Sequence, residues 1–77
     1  MTRSVFTKEY KLFRAMLKQE RQKAKLTQDV LCARLGKPNN FVSRYELGER
    51  RIDVVEFLEI AEAIGFDPVA FIKNLQK

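Results

Sequence analysis

Apolar residues recur at steps of three and four along most of the chain, whereas strand-like alternation over four or more residues does not occur in the sequence. Steps of three and four place side chains on one face of an α-helix. The longest such series of residues, which we call the apolar stripe of the first helix, comprises Phe6, Tyr10, Phe13, Leu17, Arg21 and Ala24. It predicts a first helix over about residues 7–24. We therefore expect an all-α protein.

Capping residues and glycines divide the rest of the chain into four further helices. Thr and Asp commonly precede a helix, and glycine commonly follows its last residue. The helices are expected over about residues 27–35, 39–47, 53–64 and 68–76, with caps at Thr27, Asp53 and Asp67 and ends at Gly36, Gly48 and Gly65. The buried face of the fourth helix is expected to contain Val54, Phe57, Leu58, Ala61 and Ile64. The interpretation is five helices around one core, forming a single domain over residues 1–77.

The sequence contains no histidine and one cysteine, Cys32. An intramolecular disulfide is therefore impossible, and a thiolate or imidazole metal site has no ligands. Because a glycine-rich phosphate loop is also missing, the usual catalytic constellations cannot be assembled, and we expect neither an enzyme nor a cofactor or small-molecule ligand. The absence of a run of about 18 apolar residues, and of an apolar segment at the start, favours a soluble, cytoplasmic protein.

Positive charge is concentrated in the first two thirds of the chain. Residues 1–51 contain 13 Lys and Arg against 5 Asp and Glu, whereas residues 52–77 contain 2 against 5. The net charges are therefore +8 and −3, which together give the overall +5. A one-sided basic excess is expected of a protein that binds a polyanion such as nucleic acid. A merely solvated charged surface would have the same composition.

A carboxylate lies on the apolar side of the third helix. At about 100° per residue, Val42, Tyr45 and Glu46 share one side of that helix. A buried carboxylate without a partner is strongly unfavourable, and Arg21 is the cation on the apolar stripe of the first helix. We expect an Arg21–Glu46 ion pair that ties the first helix to the third. The alternative is that both side chains reach solvent at the edges of their stripes.

The opposite side of the third helix is polar. It presents Asn40, Ser43 and Arg44, with Asn39 at its N-terminal end. Asn can make paired hydrogen bonds to adenine, and Arg to guanine, at base edges in the major groove. Alternatively, the two asparagines are only loop and capping residues after Pro38.

The segment TQDVLCARLGKPNNFVSRYELGERR, residues 27–51, resembles the lambda-repressor-like (Xre-type) helix-turn-helix family, which includes Cro and the phage repressors. The similarity extends over about residues 17–72, and its elements are Arg21, Thr27, Gln28, Leu31, Cys32, Leu35, Gly36, Val42, Glu46 and Gly48. Three residues depart from the family pattern. Pro38 stands where the family usually has a Ser or Thr cap, so the start of the third helix is expected to lie within about one residue of Asn39. Phe41 either packs at the edge of the core or touches a thymine methyl group, and Leu47 replaces a more usual polar residue.

The resemblance implies that the helix-turn-helix is formed by helices two and three, that helix three enters the major groove, and that the Arg21–Glu46 pair is structural. By position it implies base contacts from Asn39, Asn40 and Arg44, and a contact from Ser43 to either a base or a phosphate. It also implies contacts to DNA phosphates from Thr27, Gln28, Lys37, Arg50 and Arg51. The alternatives are that Thr27 only caps its helix and that the two arginines only form a solvated loop.

The fifth helix has apolar residues over about 160° of its surface, which is wider than one core-facing side requires. We expect Val69 and Ile72 to face the core, while Phe66, Phe71 and Leu75 meet a second subunit. The resemblance implies a homodimer on a pseudo-palindromic site, since relatives usually bind DNA in that way. The alternative for the fifth helix is a simple lid on a small core.

The expected function is therefore a transcriptional regulator that binds specific double-stranded DNA sequences. One alternative is an antitoxin-type module whose main partner is another protein, with DNA binding secondary. Another is a membrane-surface protein that uses its basic first helix. The apolar face of that helix is committed to the core, however, which argues against a membrane partner.

Overall fold

The computed structural model describes residues 7–76. Within that range the chain forms five α-helices and no strand, so the all-α prediction is confirmed. The helices are α1 (Lys8–Lys23), α2 (Gln28–Leu35), α3 (Phe41–Leu47), α4 (Val54–Ile64) and α5 (Pro68–Leu75). α3 packs against α1 and α2, α4 packs against α2, and α5 packs against α1. None of these helices is long and apolar enough to cross a membrane.

Local side chains set where most helices begin. The Thr27 hydroxyl accepts a hydrogen bond from the Val30 amide at 3.1 Å, as an N-cap should. Asp53 and Glu56 form a reciprocal capping box, in which each side chain accepts a hydrogen bond from the other residue's backbone amide. α5 begins with Pro68 in its first turn and is capped by the Asp67 carboxylate. The caps expected from the sequence are confirmed.

The third helix begins two residues later than expected. Asn39 and Asn40 lie in a turn, and the backbone amide of Phe41 donates to the carbonyl of Pro38 at 3.0 Å. The Asn40 side chain makes no capping hydrogen bond. Pro38 disfavours helical geometry at Lys37, and the chain completes a turn over residues 38–41 before α3 starts.

The core lies where α1, α2, α3 and α4 meet, and it is closed on one side by α5. Its fully or nearly buried apolar side chains are Leu17, Leu31, Cys32, Phe41, Val42, Tyr45, Phe57, Ile60, Ala61 and Phe71. Phe41 is 6% exposed, so it belongs to the core. The predicted stripe on α1 is buried through Leu17 and Arg21 and half-buried at Tyr10 and Phe13, whereas Ala24 is exposed. Phe6, its first predicted member, lies outside the described residues.

The expected orientation of the fifth helix was wrong. Phe71 is 3% exposed, whereas Val69 and Ile72, which were expected to face the core, are 61% and 37% exposed. Phe71 packs in an aromatic cluster (Phe13, Phe57, Phe66 and Phe71), with ring centroids 5.0 to 6.0 Å apart. A phenyl ring buries more apolar area than Val or Ile. α5 therefore presents Phe71 inward, and neither Phe71 nor the half-buried Phe66 and Leu75 form the open surface that was expected.

The buried face of the fourth helix also differs from the prediction. Val54 and Leu58 are 74% and 50% exposed, while Ile60, which was not predicted to be buried, is fully buried. The apolar residues of α4 cover a wider arc than the core can contact. Phe57, Ile60 and Ala61 occupy the inward part of that arc, and the remaining apolar side chains stay in solvent.

Candidate nucleic-acid interface

The outward side of α3 carries polar side chains that are accessible to a partner. Asn39, Asn40 and Arg44 are exposed and Ser43 is half-buried. The Ser43 hydroxyl donates to the carbonyl of Asn40 at 3.1 Å, which ties it to the first turn of the helix. Leu47 lies on the same side and is 68% exposed. An amide and a guanidinium presented in this way can each make paired hydrogen bonds to base edges.

The inward side of α3 is anchored by a buried ion pair. Arg21 Nε donates to Glu46 Oε2 at 2.7 Å, and Arg21 Nη2 donates to Oε1 at 3.1 Å, so the pair is bidentate. The side chains of Arg21 and Glu46 are only 11% and 5% exposed. The hydrogen bonds that Arg21 donates to Glu46 raise the pKa of Arg21, against the opposing effect of burial. The structure thus brings together the two residues that the sequence singled out.

Two further side-chain and backbone groups complete this buried polar cluster (Arg21, Gln28 and Glu46). The Gln28 amide donates to Glu46 Oε1 at 2.9 Å, and Arg21 Nη1 donates to the Leu26 carbonyl at 2.9 Å. Gln28 is one of the predicted phosphate contacts, and in this structure its side-chain amide joins α2 to α3. The reason is geometric, since the start of α2 lies beside the inward side of α3, where Glu46 Oε1 accepts a second hydrogen bond in addition to that from Arg21.

Arg14 contacts the C-terminal end of α3, and the sequence reasoning missed it. Its Nη1 donates to the carbonyl of Glu46 at 3.0 Å, so a cation lies where the helix dipole is negative. Gly48, with φ of 84°, leaves room for this guanidinium, because a Cβ atom there would lie 2.6 Å from Arg14 Nη1. A seven-residue step separates Arg14 from Arg21, and that step brings both to the same side of α1. This spacing is the signal that could have found it.

The loop between α3 and α4 is fixed by the side chain of Arg50. Its guanidinium makes two hydrogen bonds to the Glu56 carboxylate, at 2.9 and 2.8 Å, and lies 4.9 Å from the centre of the Phe41 ring. This contact lowers the pKa of Glu56 and raises that of Arg50. Arg50 is one of the predicted phosphate contacts, and in this structure its side chain orders the loop. The Tyr10 hydroxyl fixes the same loop by accepting a hydrogen bond from the Ile52 amide at 3.2 Å.

Cations surround the exposed start of α3. Lys37, Arg44 and Arg50 line a cleft of about 280 Å³ together with Pro38, Asn40 and Phe41. The Lys37 ammonium lies 5.5 Å from the centre of the Phe41 ring. Arg51 is exposed on the loop, 5.9 Å from the ring centre of Tyr10. A positively charged rim beside a face of hydrogen-bonding side chains is the arrangement that duplex DNA requires.

Comparisons with known proteins agree with this geometry. A family described as helix-turn-helix matches residues 17–71. Among solved structures, the chain is similar to an XRE-family like protein from Pseudomonas syringae pv. tomato str. DC3000. The two are 43% identical with a TM-score of 0.86, over 88% of this chain and 83% of that one. Among curated proteins, none matches.

Proposed function

The chain belongs to the XRE-type helix-turn-helix family of DNA-binding regulators, and from this membership we propose that it recognises a specific operator as a homodimer. In this proposal residues 1–77 form one DNA-binding domain, and α3 of each subunit lies in the major groove of one half-site. The two half-sites form a pseudo-palindrome, about one turn of DNA apart. XRE-type domains are generally not enzymes, so the output of the protein is occupancy of DNA.

The observation that carries the proposal is the contrast between the two sides of α3. One side is held by a bidentate ion pair, by the Gln28 amide and by Arg14. The other side presents Asn40 and Arg44 to solvent. A helix that reads bases must keep a fixed angle in the groove, because side chains displaced by an ångström lose their paired hydrogen bonds. The anchored side supplies that rigidity.

We assign base recognition to Asn39, Asn40, Ser43 and Arg44. Asn40 and Arg44 are the principal readers, since both are exposed at the start and middle of α3. Ser43 contributes less, because its hydroxyl proton is directed to the Asn40 carbonyl. Asn39 precedes the helix in the turn and reaches the edge of the half-site.

We assign the contacts to DNA phosphates to cationic side chains that are accessible to solvent. Lys37 and Arg51 flank α3 and bind the sugar–phosphate backbone, together with the amides at the start of α2 near Thr27. Gln28 and Arg50 support this surface indirectly, through Glu46 and Glu56. Each phosphate contact contributes about −0.9 to the slope of log affinity against log salt.

Selection of binding sites from random duplexes tests the proposal. A consensus with two-fold symmetry is expected, and Arg44→Ala should relax the preference at one position per half-site at a cost of about 1–3 kcal/mol. Arg51→Ala is the matched control, because loss of a phosphate contact should weaken all duplexes alike. The proposal is wrong if selection enriches no sequence, or if Arg44→Ala keeps the wild-type consensus at full affinity.

A further inference from the structure

A cleft with a partly apolar lining lies between the turn before α3 and the loop after it. Its volume is about 280 Å³. The lining residues are Lys37, Pro38, Asn40, Phe41, Arg44 and Arg50. Pro38 is exposed, and Phe41 lines the cleft with the small part of its ring that the core leaves open, since it is 6% exposed. Both residues depart from the family pattern, so two departures meet at one place and make part of the proposed DNA interface apolar.

The hydrogen-bond donors beside this apolar lining are already engaged. Pro38 has no backbone N–H, and the Phe41 amide donates to the Pro38 carbonyl at 3.0 Å. Both terminal nitrogens of Arg50 donate to the Glu56 carboxylate, at 2.9 and 2.8 Å. The ammonium of Lys37 lies on the rim, 5.5 Å from the centre of the Phe41 ring. Since phosphate oxygens require donors, a DNA phosphate fits the rim at Lys37 better than the apolar lining.

The major groove of duplex DNA presents one apolar group, the C5-methyl group of thymine, beside the hydrogen-bonding edges of the bases. Asn40 and Arg44, the proposed principal readers of those edges, line the same cleft as Pro38 and Phe41. A base edge that they bind would therefore have an apolar surface next to it. A methyl group needs about the volume of a water molecule, roughly 30 Å³, so the cleft has room for it together with the edge of its pyrimidine.

We propose that this cleft takes the 5-methyl group of a pyrimidine in each half-site, with Pro38 and Phe41 as the contact surface. The inference rests on the proposed function, because it needs α3 in the major groove. It adds an apolar specificity contact to the hydrogen bonds assigned to Asn40 and Arg44. Thymine and 5-methylcytosine carry the same methyl group and differ at C4, where thymine has an acceptor and cytosine a donor.

Replacement of thymine by deoxyuridine removes only the methyl group, so it tests the proposal with the wild-type full chain. Each thymine of one half-site of the selected consensus is replaced in turn, and the dissociation constant is measured by fluorescence anisotropy. At one position the affinity should fall about 4-fold, which corresponds to about 0.8 kcal/mol for one buried methyl group. Deoxyuridine that binds as tightly as thymine at every position would overturn the proposal.

Protein variants locate the methyl contact. Pro38→Ala removes the ring but keeps the carbonyl that accepts from Phe41, and it should abolish the preference for thymine over deoxyuridine at that position. Phe41→Leu keeps an apolar core side chain and withdraws the edge of the ring, so it should reduce the same preference. Because the preference is a ratio within one variant, general losses of affinity cancel. Thermal melts check that both variants fold.

Leu47→Ala is the matched control. Leu47 is 68% exposed on the outward side of α3 but does not line the cleft, so this variant should keep the roughly 4-fold preference for one buried methyl group. Equal loss of the preference in Leu47→Ala, or its retention in both Pro38→Ala and Phe41→Leu, would overturn the proposal, because the methyl group would then lie elsewhere.

Cytosine and 5-methylcytosine at the same position distinguish the two sources of the methyl group. Methylation should strengthen binding about 4-fold if either pyrimidine can supply the contact. A preference for thymine over deoxyuridine without a gain on methylation would assign the cleft to thymine alone, with its acceptor at C4 also required. Weaker binding of 5-methylcytosine than of cytosine would overturn the proposal, since the cleft would then exclude the methyl group.

Site selection from random duplexes separates this inference from the proposed function. Random duplexes offer thymine at every position, so a methyl contact should enrich it at one position per half-site. A symmetric consensus without thymine, or with thymines that deoxyuridine replaces at no cost, would leave DNA recognition intact and refute only the methyl contact. Failure to enrich any sequence would instead refute the proposed function.

Discussion

α3 and α5 are held against the core by different kinds of contact. α3 is anchored by directional contacts, since Glu46 receives hydrogen bonds from both Arg21 and Gln28. α5 is anchored by Phe71 in the aromatic cluster, whose rings have no donor or acceptor to satisfy. The hydrogen bonds fix the orientation of α3, whereas the aromatic contacts of α5 mainly bury apolar surface. Recognition of DNA depends on orientation, and this explains why the costly polar anchor lies under α3.

The largest effect on stability is expected in the aromatic cluster. Phe71→Ala should lower the free energy of unfolding by about 3–5 kcal/mol, because it removes buried area and leaves a cavity between α1, α4 and α5. Urea or thermal unfolding measures this loss. Val69→Ala on the same helix should cost no more than about 0.5 kcal/mol, since Val69 is 61% exposed. Equal costs at the two positions would show that α5 is oriented differently.

Substitutions in the Arg21–Glu46 ion pair should affect the stability of the fold and its selectivity for DNA sequence to different extents. Glu46→Met alone should cost about 3 kcal/mol, because it leaves the Arg21 charge buried without its partner. The double variant Arg21→Met, Glu46→Met should recover most of that stability, since an apolar pair can replace a buried ion pair of similar volume. Its preference for the selected DNA sequence should nevertheless remain weaker than that of the wild type. A double variant with full sequence selectivity would show that the ion pair does not set the angle of α3.

Substitution of Tyr45 is expected to raise the free energy of unfolding by about 1 kcal/mol, whereas the substitutions above lower it. Its side chain is fully buried, and its hydroxyl has no hydrogen-bond partner among residues 7–76. Burial raises the pKa of this phenol, as its low-polarity surroundings require. Tyr45→Phe should therefore stabilise the protein by about 1 kcal/mol in thermal unfolding, because it removes an unsatisfied polar group. Tyr10→Phe is the control and should destabilise, since the Tyr10 hydroxyl accepts from Ile52. Destabilisation by Tyr45→Phe would contradict the structure at that site.

The smallest effect is expected at the Arg50–Glu56 pair, which joins the loop after α3 to the start of α4. Arg50 holds the pKa of Glu56 below its ordinary value of 4.5. The unfolded chain therefore binds this proton more readily, so the pair stabilises the fold above pH 4.5 and loses its contribution as the pH falls through the lowered pKa. Glu56→Gln should cost at most about 1 kcal/mol at pH 7, since the pair is partly exposed. The difference from wild type should shrink below pH 4 in urea unfolding. A difference that is independent of pH would exclude this linkage.

The sequence determined the five helices, apart from the start of α3, and one long-range contact. Helix ends depend on residues three or four apart, such as the Asp53–Glu56 capping box, so they can be predicted without the fold. The Arg21–Glu46 pair was predictable for a related reason, because a buried carboxylate requires a cation and the facing stripe offered Arg21. A strict requirement with one candidate partner leaves little ambiguity.

Only the tertiary structure decided which apolar residues are buried and where the remaining polar groups find partners. Apolar burial is non-directional, so Phe71, Val69 and Ile72 all satisfied the pattern for the core face of α5, and the shape of the cavity beside Phe13 and Phe57 selected Phe71. The same holds for Gln28, Arg14 and Arg50, whose partners lie on other helices or across a loop. From the sequence alone, each of these flexible side chains had many possible hydrogen-bond partners. The packing of the helices placed one of those partners within reach of each side chain.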